Sequence, residues 1–275
     1  MNAIRIGGAL LSALFASVTL AAAPDTPRLA DGKPDFNGTW DNGGGIDFLK
    51  PQQRADGSVC VTGCPAVAAP APARAPGAAP AAAAPAARAA PDKPRYLPQF
   101  AARVEDLRKR QQKEDPVLRC QPPGVPRIGP PDKIVQTARE MVFLYEDVSG
   151  PFFRIVPLRS GVKRVDDSES YLGDAHGRWE GDTLVVETGN FNEQTWLTDD
   201  GAFHSAKLKV TEWLTRRGNE IEYRARIDDP SVLAEPWSPR PRRMVLMDLE
   251  MAEPAPCVEQ DMSQMVDETF HANPR

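Results

Sequence analysis

From residue 133 onward the sequence adopts a two-residue rhythm broken by tight turns, and no other feature constrains the fold as much. In 220–228, Ile221, Tyr223, Ala225 and Ile227 take one face, while Glu222, Arg224, Arg226 and Asp228 take the other. A strand with one dry and one wet face belongs to an antiparallel sheet. Gly181-Asp182 separates apolar-rich runs at 175–180 and 183–189, and glycine in a two-residue loop supplies the positive φ of a tight hairpin. Arg217-Gly218-Asn219 similarly separates 206–216 from 220–228. Further strands are predicted at 133–138, 141–147, 152–158 and 242–251, with a short first strand within Phe36–Asp41. Successive hairpins without intervening helices make a meander, and one this long closes into a barrel or folds into a sandwich.

The rest of the chain reads differently. Residues 99–114 predict one amphipathic helix, with Phe100, Val104, Leu107 and Gln111 on a shared face and Pro116 as its stop. A tail at 258–270, carrying Val258, Met262, Met265, Val266 and Phe270, fits a short capping helix. Between Pro65 and Pro91 the chain is nearly all alanine and proline, a composition that cannot build a core. The expected organisation is a signal peptide at 1–23, a leader and first strand at 24–64, a disordered insertion at 65–95, and a β domain at 96–275.

The signal peptide rests on Arg5, the apolar stretch Gly7–Leu20 and the small residues Ala21-Ala22-Ala23. It predicts a periplasmic or secreted protein, with no integral membrane segment, because a span needs roughly 20 apolar residues. The net charge of −5 gives no electrostatic reason to expect nucleic acid as a partner. In an oxidising compartment, Cys60, Cys64, Cys120 and Cys257 suggest disulfides. Three pairings are possible; Cys60–Cys64 as a local clip with Cys120–Cys257 as a long-range staple is favoured.

Several longer strings carry a resemblance. They are Asp31-Gly32-Lys33-Pro34-Asp35-Phe36-Asn37-Gly38-Thr39-Trp40, Cys120-Gln121-Pro122-Pro123-Gly124-Val125-Pro126-Arg127, the segment from Gly177 to Val186, Phe203-His204-Ser205 and Ile227-Asp228-Asp229-Pro230. Together they resemble a family of exported, mostly uncharacterised bacterial proteins. Gly38-Thr39-Trp40 also resembles the G-x-W signature of lipocalin-like barrels, in which a tryptophan near the barrel floor packs under an arginine from the last strand. The resemblance implies a lipocalin-like barrel, with Arg242 or Arg243 in that arginine's part.

The segment from Asn190 to Glu212 is the best candidate for chemistry. If strand pairing began near His204, then His204, Ala206, Leu208, Val210 and Glu212 would share an otherwise apolar inward face. An imidazole that titrates near neutrality and a desolvated carboxyl form a possible acid–base pair, with Asp200 as an alternative carboxylate. Eight residues of strand separate His204 from Glu212, roughly 26 Å, which weighs against a shared ligand. The plainer reading pairs Glu212 with Arg154, Arg178 or Arg226 across the sheet. Trp179, Phe191, Asn192, Trp196 and Arg178 are candidate ligand contacts at a barrel mouth. No nucleophile elbow, nucleotide loop or metal-ligand spacing is present, so neither cofactor nor metal is expected. Asp166, Asp167, Ser168 and Glu169 read as a solvated acidic turn rather than a calcium loop. The leading expectation is a small, partly apolar molecule bound in the barrel cavity. A cofactor-independent isomerase, hydratase or lyase and a structural envelope protein are the alternatives. Oligomeric state is not legible from these residues.

Overall fold

The computed structural model describes residues 25–43, 52–53, 59–60, 93–162, 165–253 and 257. The signal peptide, most of the Pro/Ala insertion, Cys64 of the expected Cys60–Cys64 pair and the tail helix expected above lie outside them. Strands run at β1 (Gly38–Asp41), β2 (Gln52–Gln53), β3 (Val59–Cys60), β4 (Lys133–Gln136), β5 (Glu140–Asp147), β6 (Gly150–Pro157), β7 (Asp174–Glu180), β8 (Thr183–Gly189), β9 (Lys209–Arg217), β10 (Glu220–Asp228) and β11 (Arg242–Met247). β2 and β3 pair with each other, and the other nine form one sheet in the order β6-β5-β4-β1-β11-β10-β9-β8-β7. The sheet curls into a nearly closed, mainly β barrel, as the alternation predicted.

The order around the ring is a meander with β1 inserted between β4 and β11. All eight pairings are antiparallel. Direction therefore reverses eight times from β6 to β7, so the two end strands run the same way. Parallel neighbours cannot be joined by a hairpin; their connection has to travel back the length of a strand. The chain from 158 to 173 makes that return. No ladder hydrogen bonds join β6 to β7, and the ring has a seam there.

Gly177 brings the two edges together at one end of this seam. A Cβ there would lie 2.8 Å from Leu158 Cδ2 and 2.9 Å from Val156 Cγ1, so a side chain would push β7 off β6. Gly181, at φ +60°, turns the β7–β8 hairpin.

The barrel interior is packed solid. Phe36, Trp40, Ile134, Met141, Phe143, Tyr145, Leu184, Val210, Leu214 and Ile221 are all buried in it, and each such side chain contributes about 1.5–3 kcal/mol by leaving water. Trp40 donates Nε1–H to the Phe36 carbonyl at 3.1 Å. Its arginine is Arg216 of β9, whose guanidinium carbon sits 5.1 Å from the indole, and not Arg242 or Arg243 as expected. The register explains the change. Trp40 lies opposite Leu246, whereas Arg242 lies opposite Tyr223, and Arg243 reaches out to Glu220.

Further boundaries differ from expectation, among them the last strand, expected over 242–251, which ends at Met247. The single helix over 99–114 is a 3-10 turn at Pro98–Phe100, then α1 (Ala101–Lys109) and α2 (Gln111–Glu114), broken at Arg110. Phe100, Val104 and Leu107 do pack on the core. The strand expected from 206 begins at Lys209, because Asp229 holds the preceding residues in a turn. Its carboxylate accepts from Ser205 N at 2.7 Å and Ser205 Oγ at 2.9 Å. Cys120 and Cys257 form the expected staple, with an S–S distance of 2.04 Å.

Candidate functional site

The seam is the place where the barrel stays open. Outside it, beneath the 158–173 connection, lies a cleft of ≈ 920 Å³. β6 contributes Phe153 and Ile155, the connection contributes Val162, Tyr171 and Leu172, and β7 contributes Ala175 and His176. Phe153 is 63% exposed and Ile155 49%, although both lie mid-strand. Alternation turns these two side chains outward while Arg154 and Val156 point in. An apolar wall left in water, with polar groups at its margin, is the usual form of a ligand cleft.

Behind the seam the interior holds a buried polar knot. Arg154 is bidentate on Glu212, Nη1 to Oε1 at 3.0 Å and Nη2 to Oε2 at 2.6 Å. Arg154 Nη1 also donates to the Tyr145 hydroxyl at 3.2 Å and Nη2 to Thr188 Oγ1 at 2.8 Å. Tyr223 donates to Glu212 Oε1 at 2.9 Å. Burial works against the guanidinium charge, but the facing carboxylate outweighs it and raises the Arg154 pKa. Burial also raises both tyrosines, so both hydroxyls keep their protons. Arg154 Nε is buried with no partner among the described residues.

The expected acid–base group is not assembled. Glu212 does point inward and is fully buried, but its partners are Arg154 and Tyr223. His204 lies before β9 rather than within it. Its Nδ1 donates to the Ser205 carbonyl at 3.0 Å, so its neutral Nε2 accepts from the Thr195 hydroxyl at 2.7 Å. Burial lowers the His204 pKa, against the raising influence of the Ser205 bond, Asp229 and Glu193. Asp200 is a third, separate site, bonded by Lys93 and Thr198. Burial pushes its carboxyl up, but those two donors prevail and hold it below its ordinary value.

The expected ligand contacts are likewise divided between the two ends of the barrel. Trp179, near the β7–β8 turn, is half-buried against Phe36 at 5.5 Å, under Lys33 Nζ at 5.6 Å. Arg178 is exposed and pairs with Glu180 and Glu187. Phe191 and Trp196 lie past the far end of β8, about seven residues or roughly 20 Å away, and are buried in the core. Asn192 caps a local turn, accepting from Gln194 N at 3.2 Å. The sequence does hold a signal for the cleft that hydrophobic periodicity passes over. Proline inside a strand marks an edge, and Pro151 and Pro157 flank Phe153 and Ile155.

Among the described residues, no group of histidines, cysteines and carboxylates is arranged to hold a metal ion, and no helix is long and apolar enough to cross a membrane. No family model matches the chain, and no curated protein or solved structure matches it.

Proposed function

We propose that this protein is an exported binding module, and that its ligand is a partly apolar molecule held in the seam cleft rather than in the barrel lumen. The supporting observation is the contrast at the middle of β6. Inward-facing Arg154 and Val156 are packed and partnered, while outward-facing Phe153 and Ile155 stay wet over a cleft of ≈ 920 Å³. Large apolar side chains exposed together on a strand call for something to cover them. The lumen offers no such room, because Phe143, Tyr145, Leu184 and Tyr223 fill it around the Arg154–Glu212 pair. Export follows from the reading of residues 1–23.

The uncharged fluorophore N-phenyl-1-naphthylamine tests the cleft. It should bind saturably to the purified chain, and Phe153→Ser with Ile155→Ser should abolish the signal. Saturable binding that survives both substitutions, or none to the unaltered chain, overturns the reading.

A further inference from the structure

We infer that residues 258–270 dock as an amphipathic helix on the outward apolar face of β4, β5 and β6, where they compete with the ligand for Phe153 and Ile155; this rests on the reading of the cleft as a binding site. The face is wider than the cleft wall. Val142 lies opposite Ile155 and Leu144 opposite Phe153 across β5 and β6, and Val135 lies opposite Val142 across β4 and β5. Directly opposed residues share a face, so five apolar side chains run unbroken over three strands. Val135, Phe153 and Ile155 are exposed, and Val142 and Leu144 are half-buried. Three strands at a spacing of about 4.8 Å span about 10 Å, which is about the diameter of one helix with its side chains. An outward apolar sheet face is the surface against which a helix layer packs.

The disulfide sets where the following segment starts. Cys257 is bonded to Cys120, and Pro122, just beyond Cys120 in the chain, lines the cleft. Cys257 Cβ also lies 4.0 Å from where a Cβ on Gly150 would stand. The bridge thus fixes the chain at the cleft margin, beside the first residue of β6. From Gly150 it is three residues to Phe153 and five to Ile155, roughly 10 and 17 Å of strand. A helix over 258–270 would be about 20 Å long, so it reaches both from that anchor.

The segment also matches the face chemically. Residues 258–275 lie outside the described residues, but their sequence carries a pattern. Val258, Met262, Met265, Val266 and Phe270 recur at i, i+4, i+7, i+8 and i+12, the rhythm of a helix with one apolar stripe. Asp261, Asp267 and Glu268 fall on the other side of such a helix. Met262 and Met265 bring thioether side chains that repack readily, which suits a contact that a ligand can displace. Tethering at Cys257 makes docking an intramolecular event, so a modest contact is filled without any partner. A ligand then binds against a built-in competitor, and its apparent affinity is lower than the cleft alone would give.

Carbon-13 labelling of the methionine methyl groups in the full chain gives the direct test. Nuclear Overhauser cross-peaks are expected from the Met262 or Met265 methyl to the Phe153 ring, and saturation with N-phenyl-1-naphthylamine should remove them. Met262→Asp with Val266→Asp puts two charges into the stripe. That change should erase the cross-peaks and tighten fluorophore binding about fivefold or more, because the tethered competitor is gone. The probe is uncharged, so the new carboxylates act on it only through docking. Met262→Leu with Val266→Ile keeps the stripe apolar and should keep the parent affinity. Absent cross-peaks, or a conservative variant that tightens binding as much as the charged one, overturns the docking. If the fluorophore binds the parent and the charged variant equally, the docking falls and the cleft reading stands; if it binds neither, both fall.

Discussion

The interior of this barrel and its seam are made by the same strand, yet they treat polar groups in opposite ways. Arg154 spans the interior from β6 and meets a carboxylate, two hydroxyl-bearing elements and a dry apolar surround. One residue to either side, Phe153 and Ile155 stand outward in water with main-chain groups that no neighbouring strand takes up. The comparison separates what holds the fold from what is left for a ligand. Completed hydrogen bonding in low dielectric makes the interior costly to alter, whereas the seam is open to change because it is incomplete.

The comparison is most severely tested at Arg154. Arg154→Ala should cost about 3–5 kcal/mol, because it strands Glu212 as an uncompensated buried charge. Urea denaturation measures this. Arg154→Met combined with Glu212→Leu should recover most of the loss; a double variant as unstable as the single one would mean that the ion pair itself, not its desolvation balance, carries the interior.

Next in size is the staple. Cys120→Ser with Cys257→Ser should lose about 2–4 kcal/mol, since the bridge closes a sequence separation of 137 residues. Thermal melting with and without a reductant checks it; reductant should destabilise the parent chain far more than the variant.

A smaller effect tests the far end of the barrel. Burial lowers the His204 pKa in the folded state, so the unfolded chain takes up the proton first. Stability from this residue is complete above the ordinary imidazole value of about 6.5 and is lost as pH falls from there through the lower folded value. Melting temperatures between pH 7.5 and 5 should therefore fall less steeply in His204→Gln than in the parent; parallel curves would remove His204 as a source of the acid limb.

The smallest stability change belongs to the seam. Phe153→Ser should stay within about 0.5 kcal/mol of the parent, as exposed positions do, while fluorophore binding is lost. A destabilisation as large as that of a core aromatic would place Phe153 in the packing and erase the contrast.

Much of the fold was legible in the residues. The alternation at 220–228 and the glycine at 181 placed β7, β8 and β10 almost to the residue, because period and turn chemistry are local properties. The two cysteines far apart in the chain were matched correctly. Glu212 was recognised as inward-facing, and Arg154 was among its three candidate partners. What failed was long-range. His204 was aligned with Glu212 on the assumption that the strand reached it, and the Asp229 carboxylate, held from the next connection, stops the strand first. Trp179 and Trp196 look alike in sequence but sit at opposite ends of the barrel.

By itself, the amino-acid sequence determined the strands, their turns and the inward or outward sense of each side chain, since these follow from a two-residue period and a few φ-demanding positions. The tertiary structure decided that all nine expected strands join one ring and in what order they pair, and with that whether its last two edges meet antiparallel or parallel. Ring closure depends on β1, contributed from far upstream, slotting between β4 and β11. No local pattern encodes that order, and the parallel seam and its return connection follow from it.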